Sequence, residues 1–505
     1  MSGTAFSVFG FVSKINGSSI TITVQDQSLL AHVIQHEQQT SFLSIGSLVG
    51  TRLVDTRIML LTIESVELLS GRQEASADRP LTIIASITGT FSENTMTFSF
   101  GTDAYPMVGS KAFCLSDLVL QSVLGQTHKR SAKIGTYVYS KNIDVFYDPN
   151  VLFGKHLGVF GNTGSGKTCT IVSLIQQYTK FNPNQNIKFL ILDVNHEYES
   201  AFDKSKMEFI PFSSLRINHC ILSFPEHCHL FRAAQGIQVP ALRDVINSFG
   251  DGPWTLKDLQ SGLTNWIDNQ TPNNQYNHPD VYSKNSISGF LRTLELRIDS
   301  LQSDSALSSI IDCDPREDTI SYLLSSPKQI EILDMQTSPD EMDIVLFLLF
   351  KRIYQYKALK ENAASPHLVL VLEEAHRYLK TGETDETIGF SYIEKIAREG
   401  RKFGIGLIIS SQVPSLLDYG VVSQCNSIIM HKITNKRDMD FLRGVLRFSS
   451  DVFYQQMNSL EKQHALLCGE AFSTDALVRI ENANPLPLSQ DPMILEKTNG
   501  AIKTP

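Results

Sequence analysis

At 505 residues the chain is too long for one ordinary hydrophobic core, so two or three domains are expected. Its apolar fraction of 42% and charged fraction of 19% exclude a disordered or low-complexity chain. Forty-four basic against fifty-three acidic residues give a net charge of −9, which excludes a general polyanion binder; contact with nucleic acid requires a local basic surface such as a channel lining.

The amino terminus lacks a basic segment followed by an apolar one, and the strongest apolar run, Ile344–Phe350, is far too short to cross a bilayer. The seven cysteines are scattered, odd in number and form no C-x-x-C, so the expectation is a reduced, cytoplasmic protein without a membrane. The cluster His219, Cys220, His227, Cys228 and His229 matches no standard zinc spacing and is read as buried side chains rather than a metal site.

Residues 1–130 read as a small β-barrel. Ser18–Val24 alternates polar and apolar, Leu81–Ile87 is a second apolar run, and glycines punctuate the segment at turn-like intervals. Residues 135–150 predict a hairpin leading into the next domain. The strand His156–Phe160 then feeds a glycine-rich loop, a helix over 167–179 and the strand Ile187–Leu192. Three more strands are expected at Leu368–Leu372, Ile405–Ile409 and Ser427–Met430. Near-continuous Val/Ile/Leu runs suit a parallel sheet buried on both faces. The repeated strand–helix–strand order makes the fold class of the core α/β. Its first part spans 131–214 and its second 331–484. Between them, the helical spacing of Leu242, Val245, Ile246 and Phe249, and of Ile287, Phe290, Leu291, Leu294 and Ile298, predicts an inserted helical subdomain over 215–330, with a polar loop from Asn269 to Pro279. The proline-bearing stretch 485–505 reads as a carboxy-terminal arm.

The chemistry concentrates in Gly161-Asn162-Thr163-Gly164-Ser165-Gly166-Lys167-Thr168, a complete Walker A loop followed by Cys169. Its glycines let the backbone curl with N–H groups inward, Lys167 reaches the β/γ-phosphates, the Thr168 hydroxyl binds Mg²⁺, and the next helix adds its positive end. ATP and Mg²⁺ are thus the expected cofactors. Glu373 and Glu374 stand at the tip of a core strand; Glu373 is expected in the Mg²⁺ sphere and Glu374 as the base that activates water. Arg398, Arg401 and Lys402 precede another core strand, where an arginine can stabilise a transferring phosphoryl group or merely complement a helix end. Gln412 ends that strand, either as a γ-phosphate sensor or merely as a cap of the next turn. Asp193 ends its own strand before His196-Glu197-Tyr198, either supporting the nucleotide site, touching DNA or forming a turn. Arg377, Lys380 and Lys402 are candidate channel residues.

Taken together, Lys155–Thr168, Asp193–Tyr198, Glu373–Tyr378, Arg398–Gly406, Ser411-Gln412 and Leu460–Ala471 resemble the HerA-type branch of the HerA/FtsK superfamily of ring-forming DNA-translocating ATPases. The amino-terminal segment, with Tyr105-Pro106 and Gly109, looks like that family's barrel. The resemblance implies a RecA-like P-loop core with an inserted helical bundle, a homo-hexamer with nucleotide at subunit interfaces, Lys155 beside the nucleotide, Glu374 as catalytic base and an arginine finger at Arg401 or Arg398. Relatives often carry Arg where Lys155 stands and Asp where Glu373 stands. It further implies double-stranded DNA in a central channel and a separate effector, a nuclease or an antiphage effector, docked on the barrel. Two functions follow from it: a DNA translocase serving that effector, or a ring that mainly assembles and switches on a defence effector.

Overall fold

The computed structural model describes residues 7–24, 43–68, 80–125, 132–181, 187–269, 284–359, 365–377, 379, 390–446 and 451–488. The polar loop beyond Asn269, Tyr378, Lys380 and the arm after 488 lie outside them.

The first seven strands are β1 (Val8–Asn16), β2 (Ser19–Val24), β3 (Leu48–Arg52), β4 (Ile58–Leu68), β5 (Leu81–Ser92), β6 (Thr97–Phe100) and β7 (Lys111–Cys114). All pair antiparallel in the order β2-β1-β7-β3-β4-β5-β6, and β2 also pairs with β5. That last pairing closes β1–β5 and β7 into a barrel, with β6 an appendage on β5. Register shifts in β4 against β5, at Leu60/Leu61 and Ile63/Ser65, supply the bends that closure requires. Alternate residues such as Phe9, Ile20, Ile22, Val49, Met59 and Ile83 fill the interior.

The remaining strands form one eleven-stranded sheet. They are β8 (Ala132–Tyr137), β9 (Asp144–Tyr147), β10 (His156–Phe160), β11 (Ile187–Asp193), β12 (Met207–Ile210), β13 (Ile330–Asp334), β14 (His367–Leu372), β15 (Ile405–Ser411), β16 (Cys425–Met430), β17 (His464–Gly469) and β18 (Ala476–Ile480). Their order is β12-β13-β11-β14-β15-β10-β16-β17-β18-β8-β9. From β12 through β16 every pairing is parallel; β17, β18, β8 and β9 extend the sheet antiparallel. The five core strands expected from apolar runs are all present, whereas periodicity gives no sign of β12, β13, β17 and β18.

Both faces of the parallel part are buried, and alternation divides each strand between two cores. Leu368, Leu370 and Leu372 enter one; Val369 and Val371 enter the other. Among the described residues, six helices from Phe224–Leu230 to Thr319–Ser325 lie between β12 and β13. Their stripes, including Leu242, Leu259, Leu263, Leu291 and Ile298, belong to the same apolar cluster as Leu370 and Leu407. The inserted helices therefore extend one core of the sheet rather than enclosing a core of their own. The barrel is tied to the sheet's antiparallel extension: the Leu48 N–H donates to the Tyr137 hydroxyl at 3.2 Å, and the Tyr139 hydroxyl donates to the Ile45 carbonyl at 2.6 Å.

Candidate functional site

Strands β10, β11, β14 and β15 run in one direction, so their carboxyl ends share one edge of the sheet. β10 ends in the glycine loop. A Cβ on Gly161, whose φ is +157°, would meet His431 Cβ at 2.6 Å and Ser165 Oγ at 2.7 Å, so only glycine lets the loop pass here. Gly164 and Gly166 hold φ of +70° and +115°. The loop is braced from outside by the Asn162 N–H on the Lys432 carbonyl, 2.8 Å, and by the Asn162 side-chain amide on Thr434 Oγ1, 2.8 Å. His431 is fully buried between Thr170, 2.9 Å from its Nε2, and the His464 carbonyl, 3.1 Å from its Nδ1.

Inside the loop the buried Lys167 ammonium donates to the Asn162 carbonyl at 3.2 Å. Burial lowers its pKa, against the raising fields of Glu373, Glu374 and Glu197. The Thr168 hydroxyl donates to Glu197 Oε2 at 2.9 Å. Glu197 reaches it because Asp193 organises the turn after β11: the Asp193 carboxylate accepts from the backbone N–H groups of Asn195, Glu197 and Tyr198 at 3.2, 3.2 and 3.0 Å. Of the three expectations for Asp193, the turn is what the geometry shows, and the turn in turn supports the loop.

Glu373 and Glu374 follow β14, and both are nearly inaccessible, 2% and 3% exposed. The Tyr198 hydroxyl donates to Glu373 Oε2 at 2.6 Å and Ser410 Oγ to Oε1 at 3.3 Å. Burial first, then the neighbouring carboxylates, push the Glu373 pKa up to about 7, with the Tyr198 bond and Lys167 opposing. Glu374 has a positive φ of +47°, a strained backbone for a residue with a side chain. The Gln412 amide donates to Glu374 Oε1, and the Thr163 hydroxyl donates to Gln412 Oε1. The other oxygen, Oε2, accepts no hydrogen bond, although His376 Nδ1 lies 3.3 Å away; that ring nitrogen is directed to Ser411 Oγ at 3.2 Å.

This donor set suits a phosphate chain with a hard divalent cation. The loop offers a cradle only glycine permits, a buried ammonium bonded to a mere carbonyl, and a hydroxyl on Glu197, a carboxylate that burial, and then the charge of its acidic neighbours, raises as it does Glu373.

Not every expected residue is here. Cys169 lies in the first turn of the helix Lys167–Phe181, half-buried, and Arg377 donates to Asn195 Oδ1 at 3.3 Å. Lys155, Arg398 and Arg401 are elsewhere. Lys155 precedes β10 and so sits at the opposite, amino edge, about 17 Å of strand from the loop. There it pairs with Glu470, and Asn426 Nδ2 donates to the same carboxylate at 2.7 Å. Arg401 joins this group: its Nη2 donates to Asn426 Oδ1 and, at 2.6 Å, to the Gln424 carbonyl. Lys155 therefore does not touch its own chain's nucleotide loop, because the strand between them is fully extended. Arg398 shares no partner with Arg401; the helix Phe390–Glu399 ends between them, and Arg398, 62% exposed, pairs back to Glu394 at 2.6 Å. Lys402 is exposed. The histidine cluster is an aromatic core contact: His219 and His227 lie 3.4 Å apart at their nitrogens and pack on Trp254, and among the described residues no group of three or more candidate ligands could hold a metal.

Sequence reading gave no role to Glu197, Tyr198, His431, Asn426 or Glu470. For the first two a signal existed, an Asp followed within five residues by polar side chains, which marks a turn that returns over the loop.

A family model described as the central domain of the helicase HerA matches residues 132–353. A probable helicase of Methanocaldococcus jannaschii is 24% identical over 388 residues, 74% of this chain and 71% of its own. The DNA double-strand break repair helicase HerA of Saccharolobus solfataricus is 25% identical over 403 residues, 77% of this chain and 76% of its own. Among solved structures, VirB4 of Thermoanaerobacter pseudethanolicus superposes with a TM-score of 0.51 at 14% identity, over 71% of this chain and 98% of that one, a likeness of fold. With a closed barrel ahead of a P-loop sheet and two acids directly after β14, the chain is similar to the HerA helicases over its central domain and, at about a quarter identity, over some three quarters of its length.

Proposed function

We propose that the protein is a ring-forming, ATP-hydrolysing translocase of double-stranded DNA, a homo-hexamer whose barrels carry a separately encoded effector, a nuclease or an antiviral defence effector. The observation that carries the reading is the convergence, at one sheet edge, of Lys167 and Thr168 with Glu197, Glu373, Glu374 and Gln412. ATP with Mg²⁺ fits it: Lys167 and the loop N–H groups would hold the phosphates, and Thr168 with Glu373 or Glu197 the cation. Glu374 would orient and deprotonate the attacking water through its unbonded oxygen, while Gln412, linked to both Thr163 and Glu374, registers whether a γ-phosphate is present.

Arg401 and Lys155 support the ring. They lie on the edge away from their own loop, so any action on a phosphate must be on a neighbouring subunit's. The same reading divides the chain into a barrel (1–130), a motor in two parts (131–214 and 331–484), inserted helices (215–330) and an arm (485–505). Relatives named as DNA repair helicases support DNA as the track. The test is ATP turnover with and without duplex DNA, followed by triplex displacement. Turnover and displacement that both vanish in Glu374→Gln are expected; displacement that survives without hydrolysis overturns the motor. A ring that hydrolyses ATP but never displaces the third strand supports the second reading, a scaffold that switches on a defence effector, which the net charge of −9 favours.

A further inference from the structure

Two cations on the amino edge, from elements far apart in sequence, are joined to one carboxylate, Lys155 directly and Arg401 through Asn426. β17 runs antiparallel to β16, so its end returns to the amino edge, where Gly469 pairs with Ser427. Gly469 has φ of +103°, and a Cβ there would meet the Asn426 carbonyl at 2.2 Å. This close pass turns the chain so that the Glu470 N–H donates to the Asn426 carbonyl at 3.1 Å, and the Glu470 side chain lies over the start of β16. One oxygen accepts from Asn426 Nδ2 at 2.7 Å and the other from the Lys155 ammonium. The Asn426 amide is thus oriented, and its oxygen takes Arg401 Nη2. The bonds to Lys155 and Asn426 hold the Glu470 carboxyl below its ordinary range. Arg401 itself has a buried Nε without a hydrogen-bond partner, so the guanidinium is fixed through Nη2, by Asn426 and the Gln424 carbonyl.

We propose that Glu470 is a positioning residue for phosphoryl transfer: through Asn426 and Lys155 it presets Arg401 and Lys155 as a paired cationic clamp aimed at the neighbouring subunit's nucleotide. The proposal rests on the reading that Arg401 acts across the interface. Preorganisation is the physical reason, because an arginine already held in place loses little freedom when charge develops on the phosphoryl group. Glu470 touches no nucleotide in its own chain, and its effect is transmitted entirely through its two partners.

The experiment uses the full-length ring with ATP and duplex DNA. Glu470→Ala is expected to lower kcat on the order of 10²-fold, the scale of a misplaced catalytic group, with KM for ATP little changed. Glu470→Gln, which keeps an acceptor for Asn426 but loses the charge facing Lys155, should fall between that variant and the wild type. The decisive readout is complementation. A Glu470→Ala subunit keeps its own loop but presents a poor clamp, whereas a Lys167→Ala subunit has a dead loop but presents a sound one. Verified mixed rings should therefore regain turnover, which a folding defect would not permit. Arg401→Ala mixed with Lys167→Ala runs in parallel. Rescue of Arg401→Ala without rescue of Glu470→Ala, or full activity of Glu470→Ala alone, overturns the positioning role. Failure to rescue Arg401→Ala overturns the cross-subunit reading itself, and the proposal with it.

Discussion

The two edges of the central sheet are built on opposite electrostatic plans. At the carboxyl edge, acids outnumber the buried cation: Glu197, Glu373 and Glu374 surround Lys167 and Thr168, and burial raises Glu373 to about 7. At the amino edge the ratio is reversed, with Lys155 and Arg401 gathered around Glu470. Neither edge is a complete phosphoryl-transfer site. On the proposed reading the first would bind nucleotide and activate water, and the second would supply positive charge for a transition state it cannot reach within its own chain. Strand direction separates them, since β10 must span the sheet between Lys155 and Gly161. In the proposed ring, one subunit's amino edge meeting the next one's carboxyl edge would make each complete.

The strongest way to break this comparison is at the carboxyl edge. Lys167→Ala is expected to reduce ATP turnover to background while the ring still assembles, checked by phosphate release and by size-exclusion light scattering. Residual wild-type turnover would remove the loop from the chemistry. At the amino edge, Arg401→Ala should cost roughly 10³–10⁵ in kcat, the range for an arginine finger, with nucleotide binding retained. A loss confined to binding would instead make it structural. Glu374→Gln should cost roughly 10²–10⁴, the contribution of a positioned base, and leave ATP trapped on the ring. If Glu373→Gln traps ATP and Glu374→Gln turns over normally, the two acids exchange roles.

Acid stability probes both edges at once. Burial holds His431, beside the loop, down to about 3, and holds His156, at the other edge, down to about 4, with Arg401 adding to the effect. Both remain neutral in the folded chain, whereas the unfolded chain binds their protons below about 6.5. The unfolded state thus takes up more protons as pH falls. Each histidine removes about 1.4 kcal/mol of stability per pH unit below 6.5, down to about 4 for His156 and about 3 for His431. Glu373, raised to about 7 by burial, takes up its proton in the folded chain and works the other way over this range, so the check is a comparison: the change in denaturant midpoint from pH 7 to pH 5 should be less unfavourable in His431→Gln than in the wild type, and equal changes would show that this ring is not held neutral.

The smallest expected effect sharpens the assignment within the amino edge. Arg398 is 62% exposed and pairs with Glu394 on its own helix, an arrangement worth only about 0.3–0.5 kcal/mol. Arg398→Ala should leave turnover within a factor of about two. A loss comparable to that of Arg401→Ala would mean that ring closure swings Arg398 into the interface.

The sequence alone determined the parts of this protein whose physics is local. The glycine loop was legible because each of its residues answers a backbone or phosphate requirement within eight positions. The core strands were legible because a sheet buried on both faces demands unbroken apolar runs, and Glu373 and Glu374 because they end such a run. The short β12 and the antiparallel β17 and β18 escaped notice, since a few residues with mixed burial carry little periodic signal. The pairings that make the two edges were decided only by the tertiary structure. Thr168 meets Glu197 across 29 positions, Gln412 meets Glu374 across 38, and Lys155 meets Glu470 across 315. Each depends on strand order, above all on β15 lying between β10 and β14, and on β17 reversing direction to return Glu470 to the amino edge. Side-chain alternation states which face of a strand is buried but not which strand lies beside it, so the neighbours of every charged group had to come from the fold.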